Sequence, residues 1–331
     1  MWVFVRREPG ALIMPPLTPS HLGGRVVIRV NAGLIEGRER FTDVLGELVE
    51  ISDRSLVVRR DDGSRETISA EVVVAAKPVP PRPVKYSEIA ALERVGADHW
   101  PAPDTEWLGG WLLRAASGWT RRGNSALPLG DPGMPLKDAV ARVGDWYGAR
   151  GLPPAFAVPL PLSRGVGELL RETGWEEQVR VEVRTRALAD WVSAARPDLP
   201  PVRIDSAPSM DALSLVSARR GELPQVALTI LGGPPKTGFA ILRLDDAVAA
   251  IGRGVVSEGW LGLSLIDVAV DARRRGLGTY IMGALMEWGR ELGAERAYLQ
   301  VEDTNAAALA MYDRLGFTVH HTYVNWGVSA A

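Results

Sequence analysis

The sequence DARRRGLGTY, residues 271–280, joins a predicted strand to a predicted helix. The stretch before it, WLGLSLIDVAV at 260–270, is a nearly unbroken apolar run typical of a strand buried on both faces. A strand, a glycine-rich turn and a helix present several free backbone N–H groups at the helix N-terminus, so an anion such as a phosphate is expected there. After the turn, apolar side chains recur at helical spacing: Ile281, Ala284, Leu285, Trp288 and Leu292.

The residue types in this turn suit a phosphate. Gly276 and Gly278 lack the Cβ atoms that would hold an anion away from the backbone, and Thr279 can donate its hydroxyl. A dinucleotide-binding fingerprint is excluded because Ile281 stands where its third glycine is needed. A P-loop is excluded because no lysine follows the glycines. The arginines that would attract the anion are Arg273, Arg274 and Arg275.

The composition is that of an ordinary soluble globular protein. The 331 residues are 46% hydrophobic and 24% charged, and a net charge of −2 argues against nucleic acid as a partner. The absence of cysteine excludes disulfides, cysteine metal sites and a thiol nucleophile. The four histidines are too scattered for a recognisable metal spacing, so no metal is expected. No signal or membrane-spanning segment is recognisable, so the expected location is the cytoplasm.

Residues 24–76 are predicted to be all-β. Short runs rich in valine and isoleucine are separated by turn signals, of which DDG at 61–63 favours a hairpin. Four or five strands in so short a span predict a small SH3-like β-barrel over 19–83. The proline-rich segment KPVPPRPVK at 77–85 then serves as a linker. The barrel is a candidate surface for a protein partner or for self-association.

From residue 86 the pattern alternates between helix and strand, which is typical of an α/β structure. The segment ARPDLPP at 195–201 divides it into two predicted units, 86–190 and 203–331. Shifting the second unit back by 142 residues lays its helix, strand, helix and glycine–aromatic ending over those of the first. This shared order predicts an internal duplication. The alternative is that two α/β units resemble each other by chance.

Three ordered pieces carry a resemblance to a known family: the strand SLIDVAV, the turn RRRGLG that opens a helix, and the run VEDTNAAALAMYDRLGF. Over about 205–326 the sequence resembles the GNAT superfamily of acyl-CoA-dependent N-acetyltransferases. The resemblance implies a mixed α/β sheet of the GNAT fold in two tandem halves, with acetyl-CoA as the cosubstrate. It also implies that the backbone amides of roughly 274–279 bind the CoA pyrophosphate. The backbone of Val268 and Val270 would pair with the pantetheine arm.

The same resemblance implies the remaining site residues. A family pattern of asparagine, tyrosine and glycine–phenylalanine maps onto Asn305, Tyr312, Gly316 and Phe317. By this resemblance Tyr312 gives a proton to the departing thiolate. The residues implied to bind the cosubstrate are Val268, Val270, Arg273, Arg274, Arg275, Gly276, Gly278, Thr279, Asn305 and Tyr312.

The expected reaction is direct attack on acetyl-CoA, in a ternary complex, by a primary amine of an unidentified small molecule or protein. Glu302 or Asp267 is the expected base. These two carboxylates, together with Asp271 and Asp303, favour a cationic acceptor unless the neighbouring arginines neutralise them. The aromatic residues that could line its pocket are Trp260, Trp288, Tyr323 and Trp326.

The first α/β unit lacks the corresponding features. DPGMPL at 131–136 stands where RRRGLG stands in the second unit, and each of its prolines lacks an amide donor. Ser163 and Leu170 stand in the places of Asn305 and Tyr312. The first unit is therefore predicted to be a degenerate GNAT-like half that supports the active one. The alternative to an enzyme is a CoA-sensing or scaffolding protein that keeps the nucleotide site without transfer, with the barrel as its partner-binding module.

Overall fold

The computed structural model describes residues 17–35, 38–60, 64–80, 82–189 and 191–328. The chain divides into two compact units, Met1–Pro83 and Val84–Ala331. The boundary falls inside the proline-rich segment that the sequence marks as a linker. The two units are described separately below.

The first unit is an antiparallel sheet. Its strands are β1 (Arg25–Ile35), β2 (Arg38–Ile51), β3 (Ser55–Arg59), β4 (Arg65–Ser69) and β5 (Val73–Pro78). They are ordered β4-β3-β2-β1-β5, and a small apolar core that includes Val26, Leu48 and Val58 lies against them. In the described residues β4 and β5 do not pair, so the sheet is open and the predicted closed, SH3-like barrel is not confirmed. The DDG turn lies outside the described residues, although β3 and β4 pair antiparallel on either side of it.

The second unit begins with the stretch predicted as a degenerate half, and every predicted element in it is confirmed. The sequence GGWLLRAASGWTRRGNSALPL at 109–129 predicts a hairpin, which forms as β7 and β8, and an additional strand, β6, pairs with β7. The elements are α1 (Tyr86–His99), β6 (Asp104–Leu108), β7 (Trp111–Ala115), β8 (Leu127–Pro128), α2 (Leu136–Gly148), β9 (Ala155–Leu160), α3 (Arg164–Glu172) and β10 (Glu176–Ala187).

The remainder of this unit contains the arginine–glycine turn. The sequence PSMDALSLVSARRGEL at 208–223 predicts one helix, which forms as α4, and a second helix, α5, follows it without a prediction from the sequence. The elements are β11 (Arg203–Asp205), α4 (Met210–Arg220), α5 (Gln225–Gly232), β12 (Thr237–Leu244), β13 (Ala247–Ser257), β14 (Trp260–Val268), α6 (Leu277–Glu291), β15 (Arg296–Glu302), α7 (Ala306–Arg314) and β16 (Thr318–Gly327).

Strands from both predicted halves lie in one eight-stranded sheet, ordered β11-β12-β13-β14-β15-β10-β16-β9. Strand β10 of the first half lies between β15 and β16 of the second, and β16 lies between β10 and β9. At the centre Val181 pairs with Tyr323, two residues that the 142-residue shift superposes. The shift therefore corresponds to a pseudo-two-fold axis through this pair, and the two halves exchange their last strands.

Helix α6 holds the turn against this sheet. Most of its predicted apolar stripe is turned inward, with Ile281 and Leu285 fully buried in the core of the second half, whereas Leu292 follows the end of the helix and is 39% exposed. Gly252 of β13 faces Ile281 and Leu285, and a Cβ there would lie 2.5 Å from Ile281 Cγ2. The close approach of α6 to β13 therefore fixes the start of the helix relative to the end of β14.

Neither a membrane-spanning helix nor a cluster of metal ligands occurs in the described part of the chain. None of its helices is both long and apolar enough to cross a bilayer. No three histidine, aspartate or glutamate side chains within the same residues converge as metal ligands do.

Candidate active site

The site opens where two parallel strands separate. Strands β14 and β15 pair from Trp260 opposite Arg296 to Leu263 opposite Leu299, and no further. At this point β14 contains a bulge against β13, and Leu265 adopts a left-handed conformation with φ of 53°. A bulge bends the strand that contains it. The far ends of β14 and β15 therefore diverge, and the side of β14 that faces away from β13 is left without a neighbouring strand.

The arginine–glycine turn follows the end of β14. Residues Val270–Ala272 form a short 3₁₀ turn, Arg274 and Gly276 have positive φ values of 62° and 76°, and α6 begins at Leu277. The first amide after the turn with a backbone acceptor is that of Tyr280, which donates to Gly276 O at 3.1 Å. Within the described residues, the amides of 274–279 have no intramolecular acceptor. They form a set of free donors at a helix N-terminus.

A cleft of about 1020 Å³ runs along these features and contains most of the predicted site residues. Two of them lie outside its lining. Val270 is 77% exposed in the 3₁₀ turn, because β14 ends at Val268, two residues earlier than expected. Arg275 directs its carbonyl oxygen to the Arg196 guanidinium. Those that line the cleft are Asp267, Val268, Arg273, Arg274, Gly276, Gly278, Thr279, Glu302, Asn305 and Tyr312.

Tyr312 lies on α7 and lines the cleft together with one other tyrosine, Tyr323. Only 8% of it is exposed, and burial raises the pKa of its hydroxyl to about 12, with the Asp267 carboxylate raising it and the Arg219 guanidinium lowering it. Burial disfavours the phenolate, so the hydroxyl keeps its proton throughout the neutral range. Tyr312 can therefore act as a hydrogen-bond donor or a proton donor.

Asp267 is buried at the end of β14, with 3% of its surface exposed. The Arg219 guanidinium on α4 forms an ion pair with Asp267 Oδ1. A buried carboxylate requires such a partner, because an uncompensated charge away from water is costly. Sequence reasoning did not identify Arg219, which lies 48 residues from Asp267 and carries no local signal of the contact.

Glu302 lies at the end of β15 and remains accessible to solvent. Its nearest cation is Arg121 Nη1 at 3.6 Å, a residue of the first half. The acidic cluster predicted from the sequence does not form in the cleft, because Asp271 and Asp303 lie outside its lining and the other two acids have arginine partners. The cluster therefore does not support a cationic acceptor, and that expectation stays a prediction.

Asn305 caps α7. Its side-chain oxygen accepts from the Ala308 amide at 3.2 Å, which satisfies one of the free donors of the first turn. The amide nitrogen of the same side chain carries two donors, and Asn305 lines the cleft. This residue therefore fixes the start of α7 and is also within the candidate site.

The first half contributes the opposite wall of the cleft. The end of α1 supplies Trp100, and a short turn supplies Thr120, Arg121 and Arg122. Of the four aromatic residues proposed for the pocket, only Tyr323 lines it. No periodicity or motif in the sequence marks the 120–122 segment, because its role follows from the exchange of strands between the halves.

The corner of the first half that corresponds to the arginine–glycine turn is filled by the chain itself. The tight turn between β6 and β7 packs on it: the Gly110 amide donates to Asp131 O at 2.6 Å, and a Cβ on Gly109 would lie 2.4 Å from Pro132 C. In addition, Leu170 is fully buried at the place that corresponds to Tyr312. These contacts leave no room for a phosphate at 131–136.

Comparisons with known proteins agree with this geometry. A family model described as "Probable histone acetyltransferase Rv0428c C-terminal" matches residues 86–325. The chain is 32% identical over 307 residues to "Probable histone acetyltransferase Rv0428c" of Mycobacterium tuberculosis, covering 91% of this chain and 93% of that protein. It is 29% identical over 241 residues to "Uncharacterized N-acetyltransferase YobR" of Bacillus subtilis, covering 70% of this chain and 95% of that protein.

Solved structures share the fold at low sequence identity. The GCN5-related N-acetyltransferase from Kribbella flavida superposes with a TM-score of 0.58 at 17% identity, covering 73% of this chain and 96% of the other. A tandem GNAT protein from the clavulanic acid biosynthesis pathway superposes with a TM-score of 0.51 at 15% identity, covering 74% and 89%. Because the family model spans most of the chain and the mycobacterial relative exceeds 30% identity, the chain belongs to the family of GNAT-type N-acetyltransferases represented by Rv0428c.

Proposed function

We propose that this protein is an N-acetyltransferase that moves the acetyl group of acetyl-CoA to a primary amine by direct attack in a ternary complex. The observation that carries the proposal is the row of free amides at 274–279, which opens on the same cleft as the diverging strands and the buried hydroxyl of Tyr312. A site for an anion, an open strand edge for an extended ligand arm and a proton donor therefore lie in one cleft.

The residues present fit acetyl-CoA. The free amides and the positive end of the α6 dipole suit a pyrophosphate, and Arg273 and Arg274 line the same part of the cleft. The separated end of β14, including Val268, offers backbone groups to an amide-containing arm. Bound there, acetyl-CoA would supply the activated acetyl group as a thioester.

Tyr312 is proposed to donate a hydrogen bond from its hydroxyl to the departing thiolate. With a pKa of about 12 the hydroxyl is fully protonated at neutral pH. A thiol has a pKa of about 8.5, so full transfer of the proton is uphill by about 5 kcal/mol at about 1.4 kcal/mol per pKa unit. Tyr312 therefore contributes through a well-placed hydrogen bond whose strength grows as negative charge develops.

Glu302 is proposed to take the proton from the amine. Its carboxylate is accessible at the end of β15, and the single ion pair with Arg121, at 3.6 Å, leaves oxygen lone pairs free for the amine or an intervening water. Asp267 is the weaker candidate because Arg219 holds its carboxylate in a buried pair. In this proposal Asp267 and Arg219 instead set the electrostatic environment of Tyr312.

The proposed acceptor is a primary amine. The mycobacterial relative is named for histones, so a lysine-bearing basic peptide belongs in any panel of acceptors. The test is an assay of thiol release from acetyl-CoA with a panel of amines, together with a thermal-shift titration of CoA. The proposal expects binding and amine-dependent turnover. Binding without turnover on any amine would instead favour a CoA sensor, and absence of both would refute the nucleotide site.

A further inference from the structure

One arginine side chain, Arg122, lines the cleft where the first half forms its wall, and two buried arginines, Arg114 and Arg253, lie close enough for its charge to act on them. Arg114 comes from β7, Arg253 from β13, and Arg122 from the short turn after β7. Arg122 lines both the main cleft and a small cavity behind it, and Arg114 lines that cavity. Arg114 and Arg253 are only 3% and 1% exposed. Positive charge is therefore concentrated at a poorly solvated end of the site.

Neutral groups satisfy the hydrogen bonds of the two buried arginines. Arg253 donates to the backbone oxygens of Leu231, at 2.8 Å, of His99, at 3.1 Å, and of Ile230, at 3.3 Å. Arg114 donates to Ser125 O at 3.0 Å and to Ser125 Oγ at 2.9 Å. Carbonyl and hydroxyl oxygens satisfy the N–H groups but carry no charge, and Glu93 is the carboxylate whose charge acts on Arg114.

Arg122 faces the cleft between two aromatic side chains. Its guanidinium carbon lies 5.0 Å from the centre of the Trp100 ring, and Arg122 and Tyr323 line the same small cavity. Burial, with a smaller contribution from the charge of Arg122, lowers the pKa of Arg253 to about 10. Within the described residues, no carboxylate lies within 4 Å of the Arg122 guanidinium.

The carboxylates around this end of the cleft are already engaged. Glu93 lines the small cavity and contacts His321 Nε2 at 2.7 Å. Glu302 is paired with Arg121, and Asp267 is paired with Arg219. Glu93 is thus the single carboxylate that shares the small cavity with Arg114 and Arg122. The three arginines exceed their local counter-charge, and a bound anion would restore the balance.

We infer that the acceptor amine carries an oxyanion, a carboxylate or a phosphate, on the same molecule, and that Arg122 binds it at the Trp100 end of the cleft. This inference rests on the proposed function and specifies its substrate class. The planar fork of a guanidinium matches the two oxygens of such a group, and Trp100 and Tyr323 restrict its orientation. A lysine-rich peptide would bring further positive charge to the same place, which this wall disfavours.

The test compares acceptors that differ only in charge. Acetyl transfer by the full-length protein is measured at saturating acetyl-CoA with ω-amino carboxylates of increasing chain length, with their carboxamides, with ω-aminoalkyl phosphates and with a lysine-rich peptide. The inference expects the wild-type protein to have a kcat/KM at least tenfold higher for an acid than for the amide of the same length. Preference for the carboxylate or the phosphate series identifies which oxyanion is bound.

Variants assign the preference to Arg122. Arg122→Gln is expected to remove the preference for the acid and to leave the KM for acetyl-CoA within about twofold of the wild-type value, whereas Arg122→Lys should keep part of the preference. Arg94→Gln, the same chemical change on the exposed face of α1, should have no effect.

Equal rates for acids and amides, or highest activity on the basic peptide, would overturn the inference and leave the proposed function intact. A preference for acids that persists unchanged in Arg122→Gln would also overturn it. Absence of transfer to every amine, with CoA still bound, would instead contradict the proposed function itself, and the inference would fall with it.

Discussion

Among single residues, Tyr312 provides the sharpest test of the chemistry. Tyr312→Phe removes one hydroxyl from a buried side chain whose ring packs against Phe317 at 6.1 Å between centroids, so the packing should survive. We expect kcat to fall by at least about 100-fold, the lower part of the range for a positioned acid or base. The KM for acetyl-CoA should change little. Steady-state kinetics with acetyl-CoA as the varied substrate measures both constants.

Tyr280→Phe is the matched control for that experiment. Tyr280 is near the arginine–glycine turn in sequence, but it does not line the cleft. Its hydroxyl donates to Pro200 O at 3.2 Å. Its loss should leave kcat unchanged. Unchanged turnover in Tyr312→Phe would remove this tyrosine from the mechanism.

A second residue-scale prediction concerns the pH dependence of stability. Burial, and after it the charge of Arg253, lower the pKa of His99 from 6.5 to about 4. Between those values the unfolded chain binds a proton that the folded protein does not, so the stability that neutral His99 contributes is present above pH 6.5 and is lost as pH falls toward 4. The loss is about 3 kcal/mol at about 1.4 kcal/mol per pKa unit.

Urea unfolding at pH 7.5 and pH 4.5 measures this effect. The free energy of unfolding of the wild-type protein should fall more between the two pH values than that of His99→Gln, which has no titrating ring. A difference between wild type and variant that does not depend on pH would contradict the lowered pKa. His320, whose pKa burial also lowers to about 4, remains in both proteins and cancels in the comparison.

At the residue scale the sequence predicts the main-chain part of the site better than its side-chain environment. All residues of the turn at 273–279 except Arg275 line one cleft together with Asn305, Tyr312 and Glu302, because these elements follow one another along the chain in the predicted order. Arg219 and Arg122 could not be predicted, since each contacts residues that are distant in the chain. The acidic cluster was misjudged for the same reason: its arginine partners come from α4 and from the first half.

Among the elements, the start of α6 is the most informative. Gly276 precedes the helix with a φ of 76°, a conformation that costs an L-residue about 1–2 kcal/mol. A Cβ at this position would also lie 3.1 Å from Arg196 Nη1. We expect Gly276→Ala to shift the free amides and to raise the Kd for CoA about tenfold or more, as a loss of about 1.4 kcal/mol does. Titration calorimetry measures the Kd.

Gly293→Ala is the control for backbone strain. Gly293 follows the other end of α6, has a φ of 90°, and a Cβ there would meet no atom within 4 Å. Gly293→Ala should lower the free energy of unfolding by about as much as Gly276→Ala does, without changing the Kd for CoA. Equal effects of both variants on binding would mean that the turn has no specific part in it.

The elements themselves were largely predictable, and the exceptions have physical reasons. Helix α6 and strand β14 follow from strong periodicity and a long apolar run. The bulge at Leu265, which separates β14 from β15, leaves no mark in that apolar run. Helix α5 is only eight residues long and is bounded by Pro224 and Gly233, so its sequence reads as a loop.

At the scale of the molecule, the exchange of β10 and β16 makes the two halves interdependent. Without residues 84–202, strands β15 and β16 would lose the strand between them, and the central edges of the sheet would be unpaired. We expect a fragment of residues 203–331 not to fold alone and a co-expressed fragment of residues 84–202 to restore cooperative unfolding. Circular dichroism with thermal melting measures this. A fragment 203–331 that folds as a monomer would contradict it.

The sequence predicts the duplication but not the exchange. Helix α3 and helix α7 are related by the 142-residue shift over their full lengths, as the alignment implied. The half that each last strand joins is decided by strand pairing between residues that are distant in the chain. The local hydrophobic pattern does not specify that pairing. The prediction that the first unit binds a protein partner or a second copy of the chain stays a prediction.

The most direct test of the account is the stoichiometry of CoA binding to the full-length protein by titration calorimetry. One set of free amides, at 274–279, and one filled corner, at 131–136, predict a single CoA per chain, with weaker binding in Gly276→Ala than in Gly293→Ala. Two molecules of CoA per chain, or no heat together with no thermal shift, would contradict it.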